Sequence, residues 1–390
     1  MEPAAWELDS RGFFEALSRP GKADRISSGF LGLSSGIGDS FPVNSTTSRN
    51  SPTSEHSPSE GLFSTVLQRL SEGSKEYFGA ASIEIEAVRF EERIYSFILE
   101  IRVNGNNERS TAFVKRYKVP EGVSPVSIRE QVIAEFNVLQ DKCKAMAGYP
   151  GFRVVRPIAY WSDELTIVTE RAQGKTLPEI LNARVSWRWS AKQQHLIDLF
   201  ERVGAWPRVF QSTDSSSAML STAEMREYVD VRLKQLAQAG AVSPGFCSAL
   251  LSQFDATARD VNMCELAEVP THVDFSPHNV LASEEAITLL DISARSSGSR
   301  YYDLAHMFVH LENLKIRPWM GVRLVEQMQA AMLRGYDPGL TPDRPLFRME
   351  LMRNVVSHLV HQREHSGTML QRLYALLAWR NTRWHTGVWC

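Results

Sequence analysis

Three oxygen-bearing side chains carry the clearest chemistry in this chain. They are Asp274, Asn279 and Asp291, all within Thr271 to Ile292, THVDFSPHNVLASEEAITLLDI. Asp274 and Asn279 are five residues apart. Between Asn279 and Asp291 lie Val280-Leu281, a polar turn from Ala282 to Glu285, and the apolar run Ala286-Ile287-Thr288-Leu289-Leu290. The pattern reads as loop, strand, turn, strand, with Asp291 leaving the end of the second strand. A hairpin of that kind returns Asp291 to the side of Asn279. Mg²⁺ takes hard oxygen donors in octahedral geometry and completes its shell with water and substrate phosphates. One carboxylate and one amide oxygen converging in this way suit a Mg-nucleotide. Asp274 is then free to take a proton from an attacking hydroxyl.

The ordered set His272-x-Asp274-x-x-x-x-Asn279, followed by Asp291, resembles the catalytic and metal motifs of the aminoglycoside phosphotransferase and choline kinase family. These are small-molecule kinases. The form H-x-D-F-x-P-x-N-V-L is closer to that family than to the H-R-D-L form of protein kinases. Gly298-Ser299-Arg300-Tyr301-Tyr302-Asp303-Leu304-Ala305 resembles the family's G-x-x-x-x-D-L-A segment. The resemblance implies an α+β, two-lobed protein-kinase-like fold with a small antiparallel-sheet N-lobe and a large, mainly helical C-lobe. It implies Asp274 as the base, Asn279 and Asp291 as Mg²⁺ ligands, and His272 and Asp303 as structural supports. The nucleotide is expected to be ATP, with GTP left open, and the acceptor a small-molecule hydroxyl. His278 reads as a loop residue packing outward rather than a second base. Asp291 is followed by Ile292-Ser293 where protein kinases carry Phe-Gly. Two other classes remain open: a catalytically silent kinase-like binding protein, and a protein kinase.

The elements that must position these groups come earlier in the chain. Gly61 to Phe78 has Leu62, Phe63, Val66, Leu67 and Leu70 at helical spacing and is expected to form one amphipathic helix. From Ile83 the period falls to two, and strands are expected around 83–88, 97–103 and 111–117, with Asn104-Gly105-Asn106-Asn107 as a turn. Lys115 ends an Ala-x-Val-Lys pattern that resembles the kinase strand lysine; out of context it reads as a solvated strand residue. Arg116 and Lys118 fall on the opposite face. The turn that would cover phosphates, 90–96, lacks glycine, and Ser96 is its candidate donor, against an ordinary hairpin turn. A helix is expected over 126–147, with Ile128, Val132, Ile133, Phe136 and Leu139 on one face. Its Glu135 resembles the glutamate that pairs the strand lysine. Val154–Tyr160 and 165–169 are expected as strands four and five. The hinge follows, with Thr169, Glu170 and Ala172 as adenine-side candidates by position. Beyond Leu177 helices dominate, at 194–211, 222–239 and 244–261. Gln211 stands where many relatives carry histidine.

The 390 residues divide, on this reading, into 1–60 as a disordered or loosely packed region, 61–170 as the N-lobe, and 171–390 as the C-lobe with the catalytic loop and acceptor site. The first segment is rich in Ser, Gly, Thr and Pro and buries too little apolar surface to offset its ordering. A net charge of −2 gives no general electrostatic case for a nucleic-acid partner. No apolar run approaches the roughly 20 residues of a membrane span. Four cysteines without metal-ligand spacing read as free thiols, and the acidic N-terminus lacks a signal core, so a cytoplasmic setting is expected. From Asn313 onward Lys315, Arg317, Arg323, Arg334, Arg344, Arg348, Arg353, Arg363, Arg372, Arg380 and Arg383 outnumber the acids. A solvated helix surface, a basic wall for an anionic acceptor, or a contact with anionic lipid are the readings. The wall weighs against a polycationic aminoglycoside. A sugar, amino alcohol or glycan precursor is favoured. Oligomeric state is left open.

Overall fold

The computed structural model describes residues 58–106, 108–182, 189–214, 216–292, 297–317 and 320–365, and all their side chains but those of 58–60, 189–192 and 362–365. The expectation for the N-terminal region lies outside the described residues, as do Asn107, Ser293, Arg372, Arg380 and Arg383. The described chain forms two compact units that exchange segments. One holds the residues up to Leu181 and takes back 278–292; the other holds Asn182–Pro277 and the residues from 297 on.

The first unit is built on strands β1 (Glu84–Glu92), β2 (Ser96–Gly105) and β3 (Glu108–Tyr117), an antiparallel meander as the period-two pattern predicts. β6 (Thr166–Glu170) adds to β3, and β5 (Pro157–Trp161) to β6, giving the order β1-β2-β3-β6-β5. Each face takes a helix. Phe63, Val66 and Leu70 of α1 (Pro58–Glu72) are fully buried against Leu99, Ile101, Ala112 and Val114. Each such side chain contributes about 1.5–3 kcal/mol. On the other face α3 (Pro125–Met146) sets Val132 and Phe136 against Ile167 and Tyr117. Ser124 caps α3 by accepting the Val126 amide at 3.2 Å, and Pro125 fits its first turn.

The strand period therefore assigns Ala112, Val114 and Arg116 to the α1 face and Lys115 and Tyr117 to the α3 face. Arg116 confirms it by donating to the Leu62 carbonyl. Three sequence expectations need correction. The helix expected over 61–78 breaks at Gly73, leaving a separate α2 (Ser74–Phe78). Ile133 is 37% exposed; the buried face of α3 runs Ile128, Val132, Phe136, Leu139, Met146. Val154–Tyr160 is not one strand. β4 (Phe152–Val154) pairs in parallel with β10 (Ile287–Leu289), whereas β5 begins at Pro157, whose missing N–H suits a strand start.

β10 pairs with β9 (Val280–Ala282), and β9 with β7 (Lys175–Thr176), so a second sheet has the order β4-β10-β9-β7. This pairing draws the hairpin into the first unit, so the boundary is not the single cut at 170 expected from the sequence. Thr176 and Glu179 form a capping box at α4 (Leu177–Asn182): the Glu179 carboxylate accepts the Thr176 amide at 2.7 Å and its hydroxyl at 2.9 Å.

The second unit is helical: α5 (Trp189–Gln211), α6 (Thr222–Gln238), α7 (Pro244–Arg259), α8 (Tyr302–Glu312), α9 (Val322–Tyr336) and α10 (Pro345–His365). β8 (Val269–Pro270) and β11 (Ser297–Gly298) form a short ribbon beside them. α5 and α9 touch backbone to backbone through a glycine on each. A Cβ on Gly204 would lie 1.8 Å from the Met332 carbonyl oxygen, and one on Gly335 would lie 1.9 Å from that of Glu201. No helix among the described residues is long and apolar enough to cross a membrane.

Candidate active site

The first unit holds Lys115, Glu135, Asn279 and Asp291 of the residues singled out above. Lys115, on the α3 face of β3, places Nζ 3.4 Å from Glu135 Oε1 and 2.8 Å from Asp291 Oδ1. Burial pulls the ammonium down, but Asp291 and Glu135 more than reverse it and hold it well above the ordinary lysine value. Tyr117, two residues on and so on the same face, donates its hydroxyl to Glu135, and Lys115 Nζ lies 4.9 Å from the centre of its ring. Burial pushes that hydroxyl well up, which keeps it a donor. Tyr117 was missed in the sequence, although the strand period puts it beside Lys115.

The hairpin does what its pattern suggests. The Leu290 amide donates to the Asn279 carbonyl at 2.9 Å, which brings the base of the second strand back to Asn279. Asp291 follows in the left-handed region, φ +52°, a conformation aspartate tolerates better than most residues. Asn279 closes a 3₁₀ turn, Pro277–Asn279. The donor types, a carboxylate that faces an ammonium and an amide oxygen, are those a hard cation takes. Among the described residues no group of three or more His, Cys, Asp or Glu is arranged to hold a metal. Two protein ligands are what a Mg²⁺ ion bound mainly through water and phosphate requires.

Other nucleotide candidates are placed less tellingly. Ser96 is buried as the first residue of β2, at the base of a turn whose Ile94 is 62% exposed. Thr169 lies within β6, opposite Phe113. Glu170 is committed to the sheet: its amide donates to the Arg156 carbonyl at 3.0 Å, and its carboxylate pairs with Arg156 at 2.9 Å. The Arg171 amide donates to Thr111. Ala172 is one residue past this paired stretch.

The second unit holds the loop with Asp274. Its backbone is pinned by Asp303 at the start of α8, whose carboxylate accepts the His272 amide at 2.7 Å and the Val273 amide at 3.0 Å. Burial raises the Asp303 carboxyl above its ordinary value, against the pull of His272 and both amides. Val273 is held at φ +72°, a conformation a β-branched residue avoids, so the two hydrogen bonds oppose local strain. Behind the loop, fully buried His272 and Phe275 pack on Trp206 of α5: Phe275 is stacked at 5.9 Å and His272 edge-on at 6.2 Å. His272 thus lies in the interior.

Asp274 Oδ1 lies 3.5 Å from His306 Nε2 on α8, a contact sequence reasoning did not find. Its one signal was spacing: Asp303 and His306 are three apart and share a helix face. Gln211 gains a reason. It donates to the Arg300 carbonyl at 2.9 Å and accepts the Tyr336 hydroxyl at 2.6 Å, tying α5 and α9 to the segment before Asp303.

Three of the last segment's cations take an acid from earlier in the chain, and a fourth takes one from within it. Lys315 pairs with Glu312 and Glu326, Arg334 with Glu201, Arg344 with Glu265 and Arg353 with Glu350. Most of these acids lie outside the stretch over which the sequence was tallied.

No protein-family model and no curated protein matches the chain. Among solved structures, a thermostable mutant of the aminoglycoside phosphotransferase APH(4)-Ia in ternary complex with ADP and hygromycin B is similar over 82% of this chain and 98% of that one, at 16% identity and a TM-score of 0.51. A choline/ethanolamine kinase family protein from Mesorhizobium loti (12% identity; 84% of this chain, 95% of that one) has a TM-score of 0.49. An ethanolamine kinase from Plasmodium vivax (11% identity; 85% and 95%) has one of 0.47. The first likeness shows the fold: two lobes of protein-kinase-like architecture, one with an antiparallel sheet and one mainly helical.

Proposed function

We propose that this chain is a Mg²⁺-dependent phosphotransferase that moves the terminal phosphoryl group of ATP to a hydroxyl of a small molecule. The observation that carries the reading is Lys115 Nζ held between Glu135 and Asp291, at 3.4 and 2.8 Å, on a sheet whose fold is kinase-like. ATP is the proposed donor, with GTP left open at a hinge that would use backbone groups. The phosphotransferase similar in fold was solved with ADP, in line with an adenine nucleotide.

In this reading Lys115, steadied by Glu135, contacts phosphate oxygens of the nucleotide. Asn279 and Asp291 hold Mg²⁺, which when bound neutralises phosphate charge. Asp274 orients the acceptor hydroxyl and takes its proton as the new O–P bond forms. The bond from phosphorus to the bridging oxygen breaks, and its electron pair leaves on the nucleoside diphosphate. Such catalysis rests on positioning and charge rather than on covalent chemistry. Asp303 and His272 keep the loop in place. A sugar, amino alcohol or glycan precursor is the proposed acceptor class. A polycationic aminoglycoside is the less favoured acceptor, although Glu201, Glu265, Glu312 and Glu350 engage four of the C-terminal cations.

Purified protein with Mg²⁺ and ATP radiolabelled on its γ-phosphate tests this against a panel of sugars, amino alcohols, aminoglycosides and a generic peptide. Label on a small molecule, lost in Asp274→Asn while nucleotide binding persists, is expected. Strong labelling of the peptide, lost in the same variant, would reverse the choice of acceptor class.

A further inference from the structure

The surroundings of His306 determine where its protons sit. Asn354 of α10 donates its amide nitrogen to the Glu350 carbonyl at 2.9 Å, which turns its oxygen toward His306 Nδ1 at 3.0 Å. An oxygen there can only accept, so Nδ1 carries a hydrogen. Nε2 then faces an acceptor, Asp274 Oδ1 at 3.5 Å, and lies 3.3 Å from His310 Nε2, which donates or accepts according to its tautomer. A bare Nε2 would set lone pair against carboxylate. A proton on Nε2 removes that conflict and leaves an imidazolium beside a carboxylate.

The other charged and titratable groups around α8 leave this charge on His306. On α8 itself, Asp303 is buried one turn earlier, and Tyr302 stacks on the His306 ring at 6.3 Å. From α10, Arg353 is taken up by Glu350 and by the faces of Tyr228 and Tyr302, 4.9 and 4.8 Å away. His358, also on α10, accepts from the Asn313 amide at 2.8 Å, and its ring lies 5.5 Å from that of His310. Burial first, then the charges of His306 and His361, push His358 down to about 3, so it stays neutral. From α9, Gln329 is occupied by Glu312 and the Phe308 carbonyl. Burial pulls His306 down, but Asp274, Asn354 and Asp303 more than offset it, and the ring titrates above the ordinary 6.5.

We propose that His306 is a positioning residue for Asp274: as an imidazolium locked by Asn354 it faces Oδ1 and fixes the orientation of the carboxylate. The proposal rests on the phosphotransferase reading. Asp274 then works as an oriented base only while His306 keeps its second proton, and the transfer rate falls as pH rises through the His306 titration. Glutamine keeps a donor without titrating; alanine keeps neither donor nor charge.

Two measurements on the full chain test it. The first is NMR titration of ¹⁵N-histidine side chains in wild type and Asp274→Asn, with the His306 signal assigned by its loss in His306→Gln. The expected result is Nδ1-protonated His306 titrating above 6.5 in wild type and at a lower pH in Asp274→Asn, where the carboxylate that opposes burial is gone. Identical titrations, or a bare Nδ1, would overturn the proposal. This arm needs no turnover, so it separates failure of the pair from failure of the phosphotransferase reading. The second is the pH–rate profile. His306→Ala is expected to lower kcat about tenfold or more with the nucleotide KM within about twofold. His306→Gln is expected to recover part of kcat and to lose the alkaline fall. An alkaline fall unchanged in His306→Gln, or wild-type kcat in His306→Ala, refutes it.

Discussion

Replacing Asp303 with asparagine separates stability from function at the loop that carries Asp274. Both carboxylate oxygens are used, on the His272 and Val273 amides at 2.7 and 3.0 Å, in a fully buried site. An asparagine keeps one acceptor and turns an NH₂ toward the other amide. One buried N–H is then unpaired, at a cost of about 1–3 kcal/mol. Two effects oppose this. The buried charge disappears, and Val273, at φ +72°, is free to relax, releasing strain of about 1–3 kcal/mol. The net change in stability is therefore small, within about 2 kcal/mol of zero, because the loop gives way instead of the fold. The same relaxation moves Asp274, and a displacement near 1 Å costs on the order of a hundredfold in rate. Urea unfolding gives the stability, transfer assays the rate, and amide hydrogen exchange at Val273 reads the hydrogen bond directly. The Val273 amide is expected to be protected in wild type and to exchange quickly in Asp303→Asn. Unchanged protection, or wild-type rate with a loss above about 4 kcal/mol, would refute the reasoning.

Gly204→Ala is expected to destabilise by about 3 kcal/mol or more, because a Cβ would meet the Met332 backbone and no side chain can yield; thermal melts that match wild type would contradict the close approach. His358 makes stability acid-sensitive. Its folded value, about 3, lies below the ordinary 6.5, so between these the unfolded chain binds the extra proton. Stability is full above about 6.5 and is lost as pH falls toward 3, by several kcal/mol and at most about 5. His358→Gln, which still offers an oxygen to Asn313, is expected to flatten that acid limb, and an unchanged limb would point to other groups.

What the sequence disclosed follows from how local each signal is. The meander and the hairpin were legible because period-two strands fix side-chain direction within a few residues, whereas the Lys115–Glu135 pair was expected from the family resemblance. The hairpin also returned Asp291 to Asn279, since its turn sets the register. What escaped depends on the tertiary partner. His306 meets Asp274 only because α8 starts at Asp303, which itself clamps the loop. Arg334 and Arg344 looked unopposed because Glu201 and Glu265 lie far back in the chain. The break at Gly73 and the split of 154–160 between two sheets turn on a glycine and a proline that the apolar pattern ran straight across.

The most direct test of the account is a thermal shift with ATP or GTP, with and without Mg²⁺, on wild type and Asp291→Ala. The account predicts a Mg²⁺-dependent stabilisation of wild type, about 2.7 kcal/mol at a hundredfold excess over Kd, that is absent in Asp291→Ala. No stabilisation of wild type by any Mg-nucleotide, or the same Mg²⁺ dependence in the variant, would contradict it.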